Sequence, residues 1–363
     1  MKTTGRKLLL PLICGLAMQF TMPALAETNF SGKTLELIVP FREDGGSGAW
    51  ARFMAPFLEK YLPGNPAVNI VYKPGGGSTK AANSFAAKIR ADGLSSMVST
   101  TSTHFPFLLG DPRVRYDYRH WRPLTIYPSG GVVYTTPVFG IKNPSEISSL
   151  KDKRLVFGSL GATSIDLLLL LGFQQLGLDV KPFFGVRGRG AGRLAFERGE
   201  ATIDFQTSAA YIEYIQPLIA TGRATPLFSL GVLNEEGVLV RDPVFPDLPS
   251  FSEVYEIIHG KPPAGVAWES WFALFSAGVG TKILVVPKET PDSIVETYQA
   301  AIRAMQRDPE YIEARNRVIG SYKHLTGEAA DRVYKLATDI PIEQKEWVRD
   351  WLRREYKLNI KNK

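Results

Sequence analysis

The 363-residue chain has a single cysteine, and Cys14 falls inside an N-terminal stretch that reads as an export signal. Lys2, Arg6 and Lys7 precede an apolar run from Leu8 to Phe20. Ala24-Leu25-Ala26 then supplies the small-residue cleavage pattern, which makes Glu27 the first mature residue. Ile13, ahead of Cys14, is not the small residue that a lipoprotein cysteine requires, so no lipid anchor is expected. Cleavage after Ala26 leaves no thiol, which excludes disulfides, zinc–cysteine and iron–sulfur sites and a cysteine nucleophile. A second long apolar run is also missing: nothing after the signal approaches the roughly 18 residues of a membrane helix, and a soluble exported chain is expected.

Histidine is scarce. His104, His120, His259 and His324 are scattered without metal-ligand spacing, and no calcium-loop series of carboxylates is present. Charge of one sign is lacking too: the formal +7 drops to +4 once the three basic signal residues are gone, and Lys and Arg are mixed with acids throughout. With no basic run interleaved with aromatics, nucleic acid is excluded as a partner, while a mild positive field suits small anions. Catalytic and nucleotide motifs fail by position. Gly45-Gly46-Ser47-Gly48-Ala49 and Phe157-Gly158-Ser159-Leu160-Gly161 each miss Gly-x-Ser-x-Gly by one residue. Gly75-Gly76-Gly77-Ser78-Thr79-Lys80 has its lysine after the hydroxyl residue, and Gly188-Arg189-Gly190-Ala191-Gly192 lacks a third glycine at dinucleotide spacing. No cofactor or metal is called for.

What is present is a repeating strand–loop–helix order over 337 mature residues, enough for two α/β domains with mainly parallel sheets. Strands are expected at 35–39, 68–72, 94–98, 155–157, 181–184 and 201–205. Helical spacing runs through Trp50, Phe53, Met54, Phe57 and Leu58, with a kink expected at Pro56. The leucines from Leu167 to Leu171 predict a helix over 165–176 buried on most sides, and a further helix over 191–198 closes at Gly199. Thr290 is expected to cap the helix that begins at Pro291, and the C-terminal helices break at Pro341.

Five glycine and hydroxyl segments each follow a predicted strand: 44–48, 75–79, 99–103, 158–164 and 206–208. In parallel sheets the carboxyl ends of strands share one edge, where helix N-termini offer free N–H groups and glycine lets backbone approach a ligand. Read together they make a carboxylate pocket; read singly each is a tight turn or an N-cap. His104 sits in the third segment. Arg187, Arg189 and Arg193 cluster at one loop, where a guanidinium fork either grips a carboxylate or makes a solvated basic surface. Trp271 walls a ligand or packs in the core.

An ordered series of motifs carries a family resemblance. Ile38-Val39-Pro40-Phe41 with Ala51-Arg52 comes first, then Lys73-Pro74-Gly75-Gly76-Gly77 with Ala81-Ala82-Asn83, and Ala91-Asp92-Gly93. Tyr116-Asp117 with Trp121-Arg122-Pro123, Phe157-Gly158-Ser159 and Phe196-Glu197-Arg198-Gly199-Glu200 follow. The stretch from Phe245 to Glu253, Ser270-Trp271-Phe272, and Pro287 to Pro291 complete it. The series resembles the solute receptors of tripartite tricarboxylate transporters, the Bug receptors, over nearly the whole mature chain. The resemblance implies a type II periplasmic-binding fold with crossing hinge strands, lobe 1 at 27–131 and 255–363, lobe 2 at 132–254. It implies a monomeric, non-enzymatic periplasmic receptor that passes a small mono- or dicarboxylate to a large and a small membrane subunit.

The residues implied to meet the ligand are Phe41, Gly45, Gly46, Ser47, Gly48, Gly76, Thr101, Ser102 and His104 on lobe 1. On lobe 2 they are Ser159, Ala162, Thr163, Ser164, Arg187, Asp204, Gln206 and Thr207. Gly48 stands where many relatives carry an aspartate that meets a ligand amino group, so an acid without an amino group is favoured. Two other readings stay open: a secreted α/β hydrolase of carboxylic esters, which needs a serine–histidine–acid set, and a stand-alone carboxylate sensor.

Overall fold

The computed structural model describes residues 28–360 except 235, 279 and 280, so the signal and the Ala26/Glu27 junction lie outside the described residues. Parallel β1 (Thr34–Val39), β2 (Ala67–Tyr72) and β3 (Ser95–Ser99) are linked by α1 (Gly46–Tyr61) and α2 (Thr79–Lys88). After α3 (Thr101–Leu109), β4 (Trp121–Tyr127) ends this first pass. The chain crosses at 128–130 into β5 (Gly131–Thr135), then repeats the plan as β6 (Leu155–Ser159), α4 (Asp166–Gln175), β7 (Val180–Phe184), α5 (Arg189–Glu197) and β8 (Ile203–Thr207). β9 (Thr225–Ser229) follows, then a short antiparallel pair, β10 (Val232–Leu233) and β11 (Leu239–Val240), and a return to the first sheet as β12 (Lys282–Pro287).

The two sheets have the same order. The first is β2-β1-β3-β12-β4, with β12 antiparallel to both neighbours. In the second, β5 lies antiparallel between β8 and β9, and β6 pairs with β7. Thr202 ties these pieces together: its N–H donates to Val156 O at 2.9 Å and its Oγ1 accepts from the Val156 N–H at 2.8 Å. Each lobe is thus a βαβαβ unit plus one antiparallel strand delivered by the crossing chain, the doubly wound plan whose ligand edge is the carboxyl end of the parallel strands. Among the described residues no helix is long and apolar enough to cross a membrane.

The elements follow the expected order with local shifts. α1 contains Pro56 within its span, as expected, and Pro291, not Thr290, is the N-cap of the helix over Asp292–Met305. The strand expected at 201–205 runs over Ile203–Thr207, so Gln206 and Thr207 end a strand instead of forming a loop. Leu167 to Leu171 are all buried, as a helix covered on most sides requires. α4 is covered by the helix Val266–Ala277, and its core also takes in Phe105, Leu108 and Leu109 of α3 and Val348, Trp351 and Leu352 of the C-terminal helix Ile342–Tyr356.

Trp271 belongs to that core. It is fully buried, its indole N–H donates to Leu168 O at 2.9 Å, and its ring lies 4.3 Å from Phe251 and 5.1 Å from Phe275. Trp271→Ala leaves a cavity and removes the indole bond to Leu168 O, and is expected to cost about 3–5 kcal/mol in urea unfolding, the range for large aromatic truncations. A loss below about 1 kcal/mol would show that the site collapses without penalty.

Candidate anion-binding site

Four helix N-termini converge where the two sheets face each other. Gly45, Gly46 and Ser47 open α1, and Thr100 and Ser102 stand at the start of α3. Ile165 precedes α4, and Gly188, Arg189 and Gly190 open α5. With Phe41, Thr207 and the Thr281-Lys282 pair they enclose a cavity of about 40 Å³. Orphan N–H groups and the positive ends of four helix dipoles meeting at one point make a field suited to an anion. Asp44 also lines the cavity, but its carboxylate is turned to Arg42 at 3.4 Å on the exposed rim.

Lys282 is the group that the sequence reading missed. It opens β12 and is only 3% exposed, yet the bond its ammonium makes is to the neighbouring Thr281 carbonyl at 3.3 Å. No carboxylate lies within ion-pair distance of it among the described residues. Burial alone therefore lowers its pKa, from the usual 10.5 to about 8. β12 runs antiparallel to β3, so its first residues lie beside the last ones of β3: Ile283 pairs with Ser99. Screening the loops after parallel strands passes over a residue placed at the same edge by the start of an antiparallel one.

Arg189, by contrast, is saturated. Its guanidinium donates to Gly158 O at 2.6 Å and Phe205 O at 3.1 Å, pairs with Asp166 at 3.3 Å and bonds Asp204 directly, with its plane over the Phe157 ring. Asp204 also accepts from Tyr134 Oη at 2.5 Å and Gln206 Nε2 at 3.0 Å. Asp166 accepts from Ser159 Oγ at 3.0 Å and the Leu160 N–H at 2.7 Å. Burial pushes both carboxyls above the usual range, with Arg189 opposing it. Asp204, Gln206 and Ser159 thus hold the lobe 2 loops in place and are engaged with one another.

The two halves are closed on each other. A Cβ on Gly190 would stand 2.4 Å from Asp44 O, and one on Gly46 would stand 2.1 Å from Thr207 Oγ1, so glycine at both positions lets the lobes meet. Ser102 Oγ accepts from the Ile165 N–H across the cleft at 3.0 Å. Thr163 Oγ1 donates to Asp111 at 2.7 Å and accepts from Arg113 at 3.1 Å, and Arg52 pairs with Glu213 at 3.1 Å.

Of the residues singled out in the sequence, Phe41, Gly45, Gly46, Ser47, Ser102 and Thr207 line this cavity. Thr101 lines a second, larger one. Gly48 packs on the Glu43 backbone, and the Gly76 loop acts at one remove: Ser78 Oγ donates to Ser102 O at 3.0 Å and buttresses α3. Ala162 and Thr163 border a separate hollow beside Asp111, and Ser164 Oγ bonds Gly161 O. Arg187 is exposed and away from the cavity, and Arg193 pairs with Glu197. His104 is buried against Phe105 and Tyr118, where desolvation lowers its pKa to about 3. Among the described residues no hydrogen bond joins a histidine to a serine: His324 meets Thr125, and His259 meets the Gln175 carbonyl.

No family model matches the chain, and no curated protein matches it. Solved structures do. MatC from Rhodopseudomonas palustris with bound malate has a TM-score of 0.61 and 22% identity, covering 88% of this chain and 99% of that one. Rpa4515 of R. palustris with adipate has 0.65 and 18%, covering 90% and 98%. The periplasmic binding protein BugD has 0.64 and 16%, covering 92% and 100%. At these identities the likeness is one of architecture, and the chain has the two-lobed α/β fold of the type II periplasmic binding proteins.

Proposed function

We propose that this chain is a periplasmic solute receptor of the tripartite tricarboxylate transporter type, closing its lobes on a small organic carboxylate and presenting it to a large and a small membrane subunit. The observation that carries this reading is Lys282: a buried ammonium on the lining of a cavity where four helices begin, with no acid within ion-pair distance among the described residues. A ligand carboxylate supplies the missing charge. Ser47 and Thr207 offer hydroxyls beside it, and the α1 and α5 amides offer N–H groups. Charge-assisted bonds are worth roughly 1.5–3 kcal/mol each, so three or four account for the approximately 8 kcal/mol of a micromolar complex. The malate and adipate bound to proteins of the same fold, and the ordered motif series, support the same class of ligand. Hydrolysis is disfavoured by the absence of a serine–histidine pair among the described residues.

Calorimetry on the mature protein, with acids from acetate to octanoate and from malate to adipate, should find at least one micromolar ligand whose neutral amide does not bind. Lys282→Met should weaken that ligand about a hundredfold, the equivalent of a lost bond to a buried charge, while leaving the unliganded protein as stable or more so. An unchanged affinity in Lys282→Met would remove the reading.

The pH dependence has a definite sign. Bound carboxylate holds the proton on Lys282, so affinity should fall roughly tenfold per pH unit above the pKa of about 8. Between about 8 and 10.5 the unfolded chain keeps a proton that the folded one has released, so the stability of the unliganded protein gains with pH from this group. Lys282→Met should flatten both slopes.

Gly190→Ala places a methyl against Asp44 O across the cleft. Carboxylate affinity should drop by tenfold or more with the melting temperature of the unliganded protein little changed, and small-angle scattering should no longer show compaction on adding ligand.

A further inference from the structure

The cavity beside Lys282 is too small for more than a head group. At about 40 Å³ it suits a small polar group such as a carboxylate and is about a tenth the size of its neighbour. Against it, sharing Ile165 and Thr281 in its lining, lies a second cavity of about 390 Å³ behind the crossing segment 128–130. That is room for roughly a dozen water-sized groups. Its walls are apolar: Ile165, Leu168, Phe205, Leu230, Leu233 and Phe275.

The hydroxyls in those walls have partners, with Ser129 Oγ the most weakly held, 3.4 Å from Gly130 O. Thr101 Oγ1 donates to Gly278 O at 3.3 Å and Thr281 Oγ1 to Ser129 O at 3.0 Å. Tyr322 Oη donates to Asp242 Oδ2 at 2.5 Å and lies 2.9 Å from Ser208 Oγ. Lys323, the charged side chain on the lining, is exposed to water at the rim. An occupant of this space meets hydrocarbon and satisfied hydroxyls, and a second buried charge there would find no partner.

We infer that the second cavity receives the non-polar body of the bound acid, so that the ligand is a monocarboxylate with an extended aliphatic or aromatic portion, its head at Lys282 and its tail behind the crossing strands. This rests on the carboxylate reading above and narrows it. The apolar chamber selects by hydrocarbon area where the head-group pocket selects by charge, and the two adjoin at Ile165 and Thr281.

Calorimetry with butanoate, hexanoate, octanoate, 3-phenylpropanoate, adipate and hexan-1-ol on the mature protein tests it. Affinity should climb about fourfold per added methylene, the ratio that corresponds to burying one CH₂. Adipate should bind at least tenfold more weakly than hexanoate, and hexan-1-ol should not compete. Leu233→Trp, which fills the chamber from its edge, should flatten the rise from butanoate to octanoate. A flat series, or adipate equal to hexanoate, overturns the inference while Lys282-dependent binding of butanoate keeps the carboxylate reading. Binding of none of these acids, nor of malate, overturns both.

Discussion

An ammonium taken out of water must meet negative charge or surrender its proton more readily, and Lys282 is placed where no acid among the described residues meets it. The placement follows from topology. In the first sheet β1, β2, β3 and β4 run one way and β12 the other, and in the second β5 runs against β8 and β9, so that the first residues of each reversed strand arrive where its neighbour ends. In the first sheet that strand brings Thr281 and Lys282. In the second it brings Gly131, where a Cβ would stand 2.4 Å from the Phe205 ring and 2.8 Å from Gln206 O. One lobe gains a cation, and the other gains a tight backbone that closes beside it.

Two buried cations in one cleft show how partner count separates structure from function. Arg189 has a planar fork with five donors, and two carboxylates and two carbonyls engage all three of its nitrogens. The fork fixes β6, α4, α5 and β8 relative to one another, and its charge is already matched by two acids. Lys282 is a point charge on a flexible stem, and a single backbone carbonyl at 3.3 Å leaves most of its hydrogen-bonding capacity unspent. Asp204 is engaged by the Arg189 fork and by Tyr134, and Gln206 spends its Nε2 on Asp204 and Arg189 O while its Oε1 is buried without a partner.

The fold was legible because its signals are local and periodic. The strand–loop–helix repeat, Gly199 closing α5 and the five leucines of α4 each reflect burial or capping that a short window contains. The site was legible in half. Gly45, Gly46 and Ser47 announce themselves, since glycine followed by a hydroxyl after a strand has few other physical uses. Ser102 and Thr207, on the same cavity lining, come from hydroxyl-rich segments without a glycine. Thr163 and Ser159 sit in a glycine and hydroxyl segment too, yet their hydroxyls are taken by Asp111 and Asp166, partners that depend on tertiary contacts 52 and 7 residues away. Lys282 carried one local hint, a lone charge opening the apolar run Ile283-Leu284-Val285-Val286. Its meaning depends on β12 pairing with β3 across more than half the chain, which no window of sequence contains.

Closure and charge then act as one balance. Among the described residues the direct polar ties at the mouth of the cleft are the Ser102–Ile165 bond, the Thr163–Asp111–Arg113 group and the half-exposed Arg52–Glu213 pair, with Tyr322 bonded to Asp242 and Ser208 behind it. Exposed ion pairs such as Arg52–Glu213 are worth roughly 0–1 kcal/mol, and hydrogen bonds about 1 kcal/mol net. Burying an ammonium without a counter-charge opposes them with a penalty of several kcal/mol. On these magnitudes the lobes gain little by closing on Lys282 alone, because what the ties contribute the desolvated cation removes. An anion beside Lys282 reverses the sign of the largest opposing contribution, and the ties then count in full. Under the proposed function, ligand binding would shift the open–closed population through that one change of sign, which would place the sensitivity of the hinge in a residue of the cleft and not in the hinge itself.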